Sequence, residues 1–135
     1  MNLVVDTSVW SLVLRRPRVD ETNPFVQAFR AHIEAGDGIF LIGNILQELL
    51  DGMRSSKNCD RLLTLLDPFP LLELQRETYV AAARLKTLCR SKGIQAGTID
   101  FLIAAACYEH GFPLLTSDRD FLNITKHSDL VTLPP

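Results

Sequence analysis

Short apolar runs alternate along the chain with longer stretches in which apolar residues return every three or four positions. Residues 3–5 form a β-branched run that Asp6 ends, and they read as a strand. Thr7 and Ser8 can cap a following helix through Trp10, Leu12 and Leu14. A basic loop of Arg15, Arg16, Pro17 and Arg18 comes next. Asn23-Pro24 opens a second helix with proline at its first position; Phe25, Phe29 and Ile33 form one stripe, and Gly36 stops it. Residues 39–42 read as a strand, and Ile45, Leu46, Leu49, Leu50 and Met53 follow at helical spacing. A helix over about 59–66 ends at "DPFP", and 71–74 is a short third strand. Tyr79, Ala82, Leu85, Leu88 and Cys89 lie on a long helix that Gly93 stops. "GTIDFLIAAACYEHG" is a further helix, opened by Thr98 and closed by Gly111. Residues 113–116 and 130–133 are the last strands expected.

Strands alternating with helices, and apolar at nearly every position, are expected in an α/β fold with a mainly parallel sheet. In such sheets ligands bind beyond the carboxyl ends of the strands. Asp6 and Asp118 both fall just past the carboxyl end of an expected strand, so they should emerge on one edge of the sheet.

With 135 residues, one domain over 1–135 with a substantial core is the expectation. The 47% hydrophobic and 22% charged residues fit a soluble globular protein. The net charge of −2, from 14 basic and 16 acidic residues, excludes neither an RNA substrate nor a basic partner, because grouped cations can still grip phosphate. Cys59, Cys89 and Cys107 have no paired spacing, so neither a disulfide framework nor a CxxC zinc site is expected. For Cys89 and Cys107, which sit in apolar helical patterns, buried free thiols in a reducing cytoplasm are expected. The chain shows no signal-peptide pattern and no apolar run near the ~18–20 residues of a membrane span.

Each acid has an ordinary structural reading. Asp6, taken alone, reads first as a helix cap, although Thr7 and Ser8 can also cap. Asp100 lies in the first turn of its helix, where the dipole favours a carboxylate by about 0.3–1 kcal/mol, but it shares a face with Ile103, Ala104 and Cys107. Glu48 flanks an apolar stripe beside Asp51 and reads as a surface acid. Asp118 and Asp120 read as turn acids, with Asp118 able to cap a short helix through Phe121 and Leu122. Jointly these readings weaken, because the expected fold can gather several of the acids at one edge. Carboxylates that close need a cation, and oxygen donors without a His or Cys cluster favour Mg²⁺ or Mn²⁺. His32 and His110 lie near helix C-termini and His127 in a polar loop, so no Ser-His-Asp or Cys-His arrangement is expected.

Four stretches in order, "VVDTSVW", "ILQELLDG", "TIDFLIAAACYEHG" and "LLTSDRDF", resemble the motifs of PIN-domain proteins of the VapC toxin type, over essentially the whole chain. The resemblance implies a three-layer α/β/α sandwich, RNase-H-like, with a central, mainly parallel sheet. It also implies a Mg²⁺- or Mn²⁺-dependent endoribonuclease that leaves a 5′-phosphate and a 3′-hydroxyl. Carried over by position, Asp6, Glu48, Asp100 and Asp118 become the catalytic and metal-binding acids. Thr7, Thr116 and Asp120 become their support. For Glu48 the role comes from the resemblance and not from its spacing. The same resemblance implies a homodimer and a cognate antitoxin, with the apolar helices around Trp10, Phe25 and Phe29 as a possible groove for it or simply as core.

Three basic groups can serve an RNA backbone or stand as solvated surface: Arg15, Arg16 and Arg18; Arg54, Lys57 and Arg61; Lys86, Arg90 and Lys92. Two other functions stay open, a PIN nuclease of RNA maturation or decay without an antitoxin and a non-catalytic RNA-binding module. A response-regulator-like switch also puts acids at strand ends, but it wants a lysine after a late strand, and "LVTLPP" has none.

Overall fold

The computed structural model describes residues 1–15 and 18–135. Arg16 and Pro17 of the basic loop lie outside the described residues. Three parallel strands form the sheet: β1 (Asn2–Val5), β2 (Gly38–Phe40) and β3 (Leu114–Leu115), in the order β2-β1-β3. Asn2 pairs with Gly38, and Val4 with Phe40 on one side and Leu114 on the other. Leu3, Val4 and Val5 are all buried. Successive side chains of a strand point to opposite faces, so both faces of β1 are covered.

The helices are α1 (Thr7–Val13), α2 (Pro24–Glu34), α3 (Gly43–Asp51), α4 (Ser56–Leu66), α5 (Arg76–Ser91), α6 (Thr98–His110) and α7 (Arg119–Thr125). α1 packs on α2 and α3, while α6 packs on α5 and α7. With a sheet covered on both faces, this is the three-layer α/β/α sandwich expected from the sequence.

Two expected strands shrink. Residues 71–74 make one parallel bridge, Leu41 to Leu71, and residues 130–133 make one between Leu114 and Thr132. The backbone bonds are present, Leu72 N–H to Leu41 O at 2.8 Å and Leu133 N–H to Leu114 O at 2.9 Å, but the contact does not extend into a ladder. Both segments lie outermost in the sheet, with Leu71 and Val131 exposed, so an apolar run there has one neighbour instead of two. α4 begins at Ser56, ahead of the expected start, because the Ser55 hydroxyl caps it by accepting the Asn58 N–H at 3.2 Å. Met53 falls beyond α3, and Ile33 on the α2 stripe is exposed. α6 is buried continuously from Phe101 to Cys107. It is apolar all round because protein surrounds it. Gly111 ends it at φ 70°, a left-handed turn that favours glycine.

Trp10 and Phe29 belong to the core. The Trp10 ring meets Phe29 and Phe69 edge-on, each at a 5.1 Å centroid distance. Phe25 is half-buried against the same core. Trp10 and Phe29 therefore fill the interior, and Phe25 lies half-buried at its edge. His32 lies in the last turn of α2 as expected; its Nδ1 is also 2.7 Å from Asp37 Oδ2, and Asp37 in turn meets the N-terminal ammonium at 2.8 Å. No helix among the described residues is long and apolar enough to cross a membrane.

Candidate active site

The carboxyl ends of β1 and β3 bring two loops together. Asp6 follows β1, is buried and caps α1: its Oδ2 accepts the Ser8 N–H at 3.4 Å and the Ser8 hydroxyl at 2.7 Å. Thr7 and Ser8 lie inside the helix, so the cap is the aspartate itself. Thr116 follows β3. Its hydroxyl donates to Asp6 Oδ2 at 2.9 Å and accepts the Asp118 N–H at 3.0 Å. Asp118 caps α7 and accepts the Asp120 N–H at 2.9 Å.

Asp100 arrives from α6, in its first turn, where its Oδ2 accepts the Gly97 N–H at 3.0 Å. Gly97 stands close: a Cβ there would meet Asp100 Oδ2 at 3.3 Å, tight enough to push the carboxylate. One oxygen from each of Asp100, Asp118 and Asp120 falls within 4.8 Å of the others, and all three residues are half-buried. Asp120, expected as support, is thus inside the cluster. Asp6 stands beside it, near enough for its charge to act on Asp100. Glu48 projects from α3, exposed, and its Oε2 accepts the Thr7 hydroxyl at 2.8 Å.

The PIN domain family model matches residues 3–127. The chain belongs to the PIN domain family. The fold of this PIN domain is similar to that of FitAcB from Neisseria gonorrhoeae, at 21% identity and a TM-score of 0.78, over 99% of this chain and 97% of that one. It is similar to VapBC2 from Rickettsia felis bound to a DNA fragment from their promoter, at 15% identity and a TM-score of 0.79, over 98% of both chains. It is also similar to VapBC-1 from nontypeable Haemophilus influenzae, at 16% identity and a TM-score of 0.78, over 98% of this chain and 97% of that one. At these identities the likeness establishes the fold. No curated protein sequence matches the chain significantly.

The electrostatics of this PIN domain fit a cation. Burial raises the Asp100 pKa above the ordinary carboxylate value, the Gly97 N–H opposes it, and the charges of Asp118, Asp6 and Asp120 raise it further. No salt bridge between side chains among the described residues neutralises any of these acids. All donors are carboxylate oxygens, the set that suits a hard divalent ion. Cys107 does not compete as a ligand or nucleophile: burial, with the Asp6 charge adding, pushes its thiol pKa up to about 12.

The basic groups sit around the molecule. Arg15 and Arg18 are exposed, and Arg54, Lys57 and Arg61 are exposed on and before α4. Arg15 and Arg61 line one cavity of about 570 Å³, with Val13, Leu14, Leu62 and Leu65 as its apolar wall. Lys86 is half-buried, its Nζ donating to Thr98 Oγ1 at 2.7 Å at the start of α6. Sequence reasoning passed over Ser8 as anything but a cap and over Gly97 altogether. The only signal for Gly97 was a glycine placed three residues before an acid at a helix start.

Proposed function

We propose that this PIN domain is a Mg²⁺-dependent endoribonuclease of the VapC type, with Mn²⁺ able to substitute, and the toxin of a toxin–antitoxin pair. The observation that carries this reading is the meeting of Asp100, Asp118 and Asp120 beside Asp6 at the carboxyl edge of a parallel sheet. Family membership supports nuclease chemistry, and fold relatives named as VapBC assemblies support an antitoxin partner.

Asp100, Asp118 and Asp120 would hold the ion, with Asp6 and Glu48 completing its surroundings. When bound, a divalent ion activates water and offsets charge that develops on a scissile phosphate. The chain's own residues prepare that place. Thr116 and Ser8 both donate to Asp6 Oδ2, while its Oδ1 takes no hydrogen bond among the described residues and would be the oxygen available to a cation. The Gly97 N–H holds one oxygen of Asp100, and the Thr7 hydroxyl, next to Asp6, holds one oxygen of Glu48. Burial of Asp6 and half-burial of the other three strand-edge acids limit water around the carboxylates, which strengthens their pull on a cation. Arg15, Arg18 and Arg61 are the cations proposed to meet an RNA backbone. A homodimer in the cytoplasm completes the reading.

The test is cleavage of a total-RNA pool by purified chain freed of any antitoxin, with Mg²⁺ or Mn²⁺, with chelator, and with Asp6→Asn and Asp100→Asn. Discrete fragments that need the cation and vanish in both variants are expected. Cleavage that survives both substitutions would sink the site. RNA binding without any cleavage by the cation-loaded wild type would replace the enzyme with a binding module.

A further inference from the structure

We infer that Ser8 is a positioning residue of this site, clamping the loop that carries Asp118 and Asp120 onto the end of β1. The inference rests on the cation-site reading above. Ser8 lies in the first turn of α1. Its hydroxyl donates to Asp6 Oδ2 at 2.7 Å and accepts the amide N–H of Ser117, distant in sequence, at 3.0 Å. The Thr116 hydroxyl repeats the pattern one residue earlier in that loop, donating to the same Asp6 oxygen and accepting the Asp118 N–H. The two hydroxyl oxygens stand 3.3 Å apart, side by side on one carboxylate oxygen.

A hydroxyl carries one proton and two lone pairs. Asp6 is an acceptor, so both protons turn to it, and each hydroxyl then presents lone pairs to an amide. Neither the Ser117 nor the Asp118 amide makes a backbone hydrogen bond among the described residues. The loop between β3 and α7 is therefore held by these two hydroxyls and not by a ladder. Asp118 caps α7 and Asp120 lies in its first turn, so a shift of this loop carries both carboxylates away from Asp100. A serine acting only as a helix-start residue has no need of this reach. Its neighbour Thr7 does the same for Glu48, so adjacent hydroxyls of one helix turn hold acids from two other elements.

Titration of the full chain with Mn²⁺ by calorimetry, without RNA, tests this directly. Ser8→Ala is expected to weaken Mn²⁺ binding by roughly 10–100-fold, the usual effect of losing a residue that orients ligands. Ser11→Ala, an exposed serine on the same helix, is expected to leave it unchanged. Equal affinity of Ser8→Ala and wild type would overturn the positioning role while leaving the cation site intact. A folded wild type that binds no Mn²⁺ would overturn both. Amide exchange on the wild type supplies a readout that needs no variant: the Ser117 N–H is expected to exchange slowly despite its half-exposed loop, and fast exchange would overturn the clamp.

Discussion

The hydroxyl of Thr7 donates to Glu48 Oε2 at 2.8 Å, joining α1 to an exposed acid on α3 that stands outside the carboxylate cluster. This bond gives Glu48 a direction that its spacing in the sequence did not. If Thr7 matters through Glu48, the two substitutions are not independent. Glu48→Gln is expected to lower cation-dependent cleavage by about 10-fold or more, and Thr7→Val by less. The double variant is expected to be no worse than Glu48→Gln alone. Rates measured around this cycle check it, and losses that simply multiply would show that Thr7 and Glu48 act separately.

Trp10 is held between Phe29 and Phe69, and its indole Nε1 is buried with no hydrogen-bond partner. Its role is packing, and the unpaired N–H is a cost that packing offsets. Trp10→Ala is expected to destabilise the chain by about 3–5 kcal/mol, and Trp10→Phe by less, since Phe keeps an aromatic edge and removes the unpaired donor. Urea unfolding measures both. In the native protein Trp10 fluorescence is expected to resist acrylamide, and ready quenching would contradict the core placement.

Where local periodicity and burial coincide, the fold was legible. The buried run of β1, the apolar α6 and the caps at Asn23 and Asp118 were all visible because one local pattern had one structural outcome. The outer segments 71–74 and 130–133 were misjudged because an apolar run says nothing about how many neighbours a strand will have. At the site, the edge position of Asp6 and Asp118 followed from the strand pattern. What stayed hidden was distance. Asp120 enters the cluster because α7 turns it back beside its own cap, and Ser8 reaches Ser117 across the sheet edge. Neither relation has a spacing in the sequence.

Asp100 titrates above the ordinary carboxylate value of 3.8, first through burial and then through the charges around it. Protons therefore compete with a cation at a pH higher than for a free aspartate, and the apparent cation affinity is expected to fall on acidification before ordinary carboxylates protonate. Asp120→Asn removes one of the raising charges, so the Asp100 carboxyl titration is expected to move to lower pH. Carboxyl carbon shifts of the metal-free chain, followed by NMR, report this. No movement would mean that Asp120 lies too far away to act on Asp100.

The same shift makes a prediction about stability, with a defined sign. A carboxyl whose folded pKa is raised binds its proton more tightly in the folded state, so its penalty is absent well below pH 3.8 and grows as pH rises through the folded pKa. At neutral pH the metal-free chain carries all of it. Asp100→Asn keeps an oxygen to accept the Gly97 N–H and removes the charge. The variant is therefore expected to melt about 1–3 °C higher than wild type without metal, a small gain because solvent screens a half-buried group. It is also expected to lose cleavage by at least ~100-fold and to gain little stability from Mn²⁺, whereas the wild type is stabilised by it. Thermal melts of both chains, with and without Mn²⁺, decide the matter. A metal-free variant less stable than wild type would mean that the Asp100 charge stabilises the fold through the start of α6 by more than burial and the neighbouring acids cost.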